Sequence, residues 1–111
     1  MDSHMIDLQL LIKAKHHSLV KQVIDVSYLN GDIGGTERIR IDFHNERSLS
    51  VITGKYAHTS DGKPYELAVL NKYGEIDYGM NFIEDPSRDT VGYCTLEKVS
   101  RYIKHAGEYN G

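Results

Sequence analysis

Residues 38–53 constrain this chain more than any other stretch. In Arg38-Ile39-Arg40-Ile41-Asp42-Phe43 the apolar and charged side chains alternate strictly. That is the period of a strand with one face in a core and the other towards water. The polar run His44-Asn45-Glu46-Arg47 then turns the chain, and Leu49-Ser50-Val51-Ile52-Thr53 returns with Leu49 and Val51 on the core side. Two such runs joined by four polar residues predict an antiparallel hairpin.

The apolar face of that hairpin, Ile39, Ile41 and Phe43, is expected to share its interior with a helix at the end of the chain. There Leu96, Val99, Tyr102, Ile103 and Ala106 recur at helical spacing. Thr95 is placed to cap this helix and Gly107 to stop it. Glu97 near the positive end of the dipole, and Lys104 and His105 near the other, support the assignment.

The remaining elements are read the same way. Leu8, Leu11 and Ile12, with Leu19 continuing the stripe, predict a helix from Asp7 to about Ser18, with Asp7 as its cap. Val20 to Leu29 fits two descriptions. The helix continues through Val20, Val23 and Ile24, or a strand runs from about Val23 to Leu29; the alternation Ile24/Val26/Tyr28 favours the strand. The glycine-rich run Asn30 to Gly35 and the cluster Ser60-Asp61-Gly62-Lys63-Pro64 are expected turns. Tyr65 to Leu70 is a continuous apolar strand suited to a central position buried on both faces. Asn71-Lys72-Tyr73-Gly74 should turn it into a last strand, Glu75-Ile76-Asp77-Tyr78, and residues 79–94 read as loop. The expected fold class is α+β: a four- to five-stranded antiparallel meander, with an N-terminal and a C-terminal helix packed mainly on one face.

The length of 111 residues fits one domain. Met1 to His4 reads as an expression-tag remnant, leaving residues 5–111 as a single α+β domain. Net charge is −3, or −2 without Asp2. That balance supports neither an electrostatic account of nucleic-acid binding, which needs a clustered basic face, nor an acidic mimic of DNA. Cys94 is the only cysteine, which excludes an intramolecular disulfide and a cysteine-based zinc site. No secretory leader and no apolar run of about 18 residues is present, so the expected location is cytoplasmic, with no membrane partner.

No catalytic residue, metal ligand set or cofactor motif emerges, and the chain reads as a non-enzyme. His16 and His17 are adjacent and would point about 100° apart on a helix. His44 and His58 have no second ligand at a useful spacing. Cys94 precedes a helix N-terminus, where the dipole favours thiolate, but nothing local pairs with it, so a small apolar role is expected. Gly31 to Gly35 matches neither phosphate-binding fingerprint. Asp77, Glu84, Asp85 and Asp89 lack calcium-loop spacing and read as a solvated loop.

Eight tyrosines against two phenylalanines are more informative. Tyrosine gives a contact surface a rigid apolar body and a polar tip. Tyr56, Tyr73 and Tyr78 are the expected exposed candidates. Arg38 and Arg40 alternate with core-facing isoleucines and therefore lie on the opposite face of the sheet, so they join the candidate binding residues.

Residues 49–103 resemble a family of small, uncharacterised α+β proteins encoded by phages and prophages. The similarity rests on Ser50-Val51, on Tyr65-Glu66-Leu67-Ala68-Val69-Leu70, on Gly74 and Tyr78, and on the run from Asp89-Thr90-Val91-Gly92-Tyr93-Cys94 to Thr95-Leu96-Glu97-Lys98-Val99. It covers about half the chain, contains no catalytic signature, and departs from the pattern between Met80 and Arg88. The resemblance implies a genetic setting: a phage or prophage protein in the host cytoplasm that binds and modulates a host or phage protein, with inhibition of a defence system such as CRISPR or restriction among its forms. The alternative is a small ligand- or nucleic-acid-binding module using the open face of the sheet, nucleic acid being the less favoured partner. A homodimer through an edge such as Glu75–Tyr78 is a further expectation.

Overall fold

The computed structural model describes residues 3–25, 36–54, 57–77 and 90–109. Helix α1 (Ser3–Leu11) runs into a π-helical segment (Ile12–His16), followed by strands β1 (Val20–Asp25), β2 (Thr36–Phe43), β3 (Ser48–Gly54), β4 (Tyr65–Leu70) and β5 (Val91–Cys94), and by helix α2 (Leu96–Glu108). The strands form one antiparallel sheet in chain order, β1-β2-β3-β4-β5. This is the expected meander, flanked by a helix at each end of the chain.

The alternation of β2 decides the layers. Ile39, Ile41 and Phe43 are buried, and so are Leu49 and Val51 opposite them on β3 and Leu67 and Val69 on β4. These side chains form one core with Met5, Leu8 and Ile12 of the first helical stretch and Val99, Tyr102, Ile103 and Ala106 of α2. Both helices therefore lie on the same face. Thr95 caps α2 as expected, its hydroxyl accepting from the Lys98 N–H at 3.1 Å. Burying a valine or isoleucine of this stripe stabilises the fold by roughly 1.5–3 kcal/mol.

Several sequence expectations change in detail. The first helix starts at Ser3, so Asp7 lies inside it and does not cap it. Met5 supplies the buried turn that precedes Leu8, and the Tyr65 hydroxyl donates to the His4 carbonyl while the two rings meet edge-on at 6.0 Å. Two of the four residues read as a tag remnant thus belong to α1. The first strand begins at Val20 rather than Val23; residues 26–30 lie outside the described ones, as does the glycine-rich run to Gly35.

Gly107 does not stop α2, which continues to Glu108. Its service is close packing: a Cβ there would stand 3.1 Å from Leu19 Cβ and from Phe43 Cδ1. The carbonyls at the end of α2 are capped from across the molecule. Asn45 Nδ2, in the β2–β3 turn, donates to the oxygens of Ala106 at 2.7 Å and Tyr109 at 3.0 Å. Such carbonyls have no partner within their own helix, so the bonds also fasten the turn to α2.

The last strand is the largest correction. Glu75 to Asp77 does not form one: Ile76 makes a single bridge to Leu70, and the Asp77 N–H donates to Val69 O at 2.8 Å. Tyr78 lies outside the described residues. The fifth strand is Val91–Cys94, which the sequence reads as loop, paired through Tyr65↔Cys94 and Leu67↔Val91 with an irregularity between. Its four residues are disguised by Gly92 and by Tyr93, whose φ of +55° is the left-handed region that a side chain disfavours. Cys94 is buried beneath the start of α2, its thiol donating to the Val91 carbonyl at 3.3 Å.

Candidate functional site

Covering one face with helices leaves the other to carry the polar half of each alternation. Cross-strand register sets its rows: Arg38–Ile52–Glu66, Arg40–Ser50–Ala68 and Asp42–Ser48–Leu70, with Ile24 and Gln22 of β1 beside the last two. The core packs against the opposite face, and no described helix reaches this one. Among the described residues, two concavities open on it.

The first is a recess of about 390 Å³ whose floor is Ile52, Ala68, Leu70 and Ile76, edged by Arg38, Ser50, Glu66 and Thr90. Glu66 is only 6% exposed, yet its carboxylate is well supplied with donors. It accepts from the His58 backbone N–H at 3.1 Å and from the Thr90 hydroxyl at 2.7 Å, and His58 Nδ1 lies at 3.0 Å. A buried carboxylate needs such partners, and these also pin two chain segments to β4. His58 O accepts from the Tyr93 N–H at 2.8 Å, which closes the outer side of β5 and holds Tyr93 in its left-handed conformation.

The second is a broader groove of about 770 Å³ at the end of the sheet, between β1–β3 and the Asn71–Gly74 turn. Asp42 sits in its wall and accepts from Arg40 Nε and a terminal nitrogen at 2.9 and 3.2 Å, from Gln22 at 2.7 Å and from Ser48 at 2.8 Å. Burial pushes the Asp42 carboxyl up, but the hydrogen bonds, Arg40 first and then Gln22 and Ser48, together outweigh it and leave it below the usual carboxylate range. Arg47 donates its Nε–H to Asp77 at 3.2 Å and lies over the Tyr109 ring at 4.3 Å from its centre. In the turn, Asn71 Oδ1 accepts from the N–H groups of Tyr73 and Glu75 at 2.9 and 3.1 Å. With Gly74 at φ +79°, that turn projects the Tyr73 ring, 74% exposed, over the groove's rim.

Of the five residues singled out from sequence, Arg38, Arg40 and Tyr73 border these two concavities. Tyr56 and Tyr78 lie outside the described residues. Tyr65 and Tyr102 are core residues, and none of the described rows across β2–β4 carries an aromatic ring. Sequence reasoning missed Tyr93, 46% exposed, and Tyr109, 39% exposed. It also missed Arg47 and Lys72, which look like ordinary turn residues until the fold brings them beside Arg40. Among the described residues no group of three or more His, Cys, Asp or Glu is placed to hold a metal ion, and no helix is long and apolar enough to cross a membrane. Comparison with family models, with characterised proteins and with solved structures returns no match to this chain. The class its geometry defines is a five-stranded antiparallel α+β meander with no described helix on one face.

Proposed function

We propose that this chain is a small, non-enzymatic binding protein that docks the open face of its sheet on another protein. The observation that carries this reading is the make-up of the face: an apolar floor of Ile52, Ala68, Leu70 and Ile76 ringed by Arg38, Ser50, Glu66 and Thr90. An apolar centre inside a polar rim is the anatomy of a protein interface. Tyr73 and Arg40, which line the neighbouring groove, belong to the residue types that dominate binding energy. The resemblance of residues 49–103 to phage and prophage proteins supplies the setting. The partner is then a host or phage protein in the cytoplasm, and the chain modulates it by occupying its surface, as an inhibitor of CRISPR or restriction machinery would.

A nucleic-acid or small-ligand module on the same face has less support. Stacking platforms need rings, and the described rows of β2–β4 have none.

The test is affinity capture from the cells of origin, followed by binding of the purified pair. Ile52→Lys and Leu70→Lys place a charge in the apolar floor. Each is expected to weaken the purified complex at least about tenfold while near-ultraviolet circular dichroism stays unchanged. Folded variants that bind the partner as tightly as the parent would overturn the reading.

A further inference from the structure

We infer that the groove at the end of this face is an anion site that receives the carboxylates of an acidic segment on the partner protein. The inference rests on the docking reading above and adds the chemistry that the partner must present.

Among the described residues, four cations, Lys21, Arg40, Arg47 and Lys72, line the groove against two carboxylates, Asp42 and Glu46. In a chain of net charge −3 this is a local reversal of sign. The field inside a cleft follows its own lining more closely than the total charge of the molecule. Asp42 is a weak competitor for an incoming group, because Arg40, Gln22 and Ser48 already occupy its oxygens.

The two guanidinium groups are set in advance. Arg40 grips Asp42 through Nε and one terminal nitrogen, and Arg47 gives Asp77 its Nε–H while its guanidinium carbon lies over the Tyr109 ring. Each is held from behind by a carboxylate. The second terminal nitrogen of Arg40 and both of Arg47 make no such bond to the described residues and are left for a ligand. Much of the entropy of fixing these long side chains is lost on folding rather than on binding, which is what a pre-organised site gains. Lys21, at the irregularity where β1 shifts register against β2, and Lys72, in the Asn71–Gly74 turn, put ammonium groups on opposite rims.

The arrangement suits spaced single charges better than one concentrated dianion. Glu46 stands among the cations, held at a φ of +72° in the hairpin turn, and repels a compact phosphate. Carboxylates a few ångströms apart can straddle it, and the forked guanidinium matches a carboxylate's two oxygens.

The probe is a hexaglutamate peptide, titrated at low salt into the isotope-labelled full chain and followed by NMR. Saturable shifts are expected at Lys21, Ser48, Asn71 to Gly74 and the side-chain Nε–H groups of Arg40 and Arg47. The double variant Lys21→Glu/Lys72→Glu should weaken the peptide about tenfold, and raising the salt should weaken the parent's binding. Inorganic phosphate, hexalysine and a single-stranded oligonucleotide are the comparison arms. The inference is overturned by no saturable shift with hexaglutamate, by equal affinity in the double variant, or by tighter binding of phosphate or the oligonucleotide. With the captured partner in hand, the two readings separate. Capture that Ile52→Lys abolishes and the double variant leaves untouched removes the acidic segment and keeps the docking face; capture that neither change affects removes both.

Discussion

Asn45 is one residue of a turn, yet its amide holds the end of α2. Its Oδ1 accepts from the Arg47 N–H at 3.0 Å, so a single side chain sets both the turn and the cap. Asn45→Ala should cost about 1–2 kcal/mol, the size expected for losing a cap whose partners are partly buried. Urea unfolding checks this as a lower midpoint with an unchanged slope. Gly92 gives a second expectation. A Cβ there would lie 2.9 Å from His58 Cβ and 3.2 Å from His58 O, and neither is the yielding end of a flexible chain. Gly92→Ala should therefore destabilise by about 1–3 kcal/mol through displacement of His58 from Glu66, visible as a lower melting temperature and altered His58 NMR shifts. Neither role was legible in the sequence. A polar residue in a turn and a glycine in an apparent loop look ordinary until distant segments are brought against them.

At the scale of elements, what could be read was whatever declared itself by period. The alternation of β2, the return of β3, the continuous apolar run of β4 and the stripe of α2 carry their faces in their spacing, and all four lie where that spacing puts them. β5 was hidden because four residues containing a glycine and a left-handed tyrosine have no period to show. The π-helical segment was hidden for another reason: hydrophobic spacing does not distinguish a widened turn from a regular one. That segment buries His16, whose Nε2 lies 2.7 Å from Ser100 Oγ of α2. Burial first, then Lys15, with Lys104 in the same sense and Glu108 opposing, lowers its pKa from the usual 6.5. The folded state then resists a proton that the unfolded chain accepts. Its stabilising contribution is complete above 6.5 and is lost as pH falls from there towards the folded value. Asp42, also lowered, adds a second loss as pH falls below 3.8. Unfolding curves between pH 7 and 5 should show the first stage, and His16→Gln should flatten it.

Over the whole molecule, both outer strands are poor templates for a neighbour. β1 carries an irregularity between Val20 and Gln22 and a lysine at it, although Val23, across from Ile41, remains 37% exposed. β5 is four residues long, and its Tyr93 N–H already bonds His58 O. Irregular, charged and short edges discourage strand-to-strand association. The pairing once expected through Glu75–Tyr78 has no described strand to use. Sedimentation equilibrium should therefore return a monomer at micromolar concentration, and a stable dimer would mean that association runs through another surface.

The tether between the β2–β3 turn and α2 has a further reach. Arg47 is steadied by the ring of Tyr109, and the turn that carries it hangs from carbonyls within the final turn of α2 and just past it. Clipping the chain before Tyr109 would take away a cushion and an anchor point in one cut, some ninety residues after the first rim lysine. A protease acting there would disarm the groove while leaving the sheet intact, so the hold on Arg47 is decided at the end of α2, far along the chain from the strands it serves.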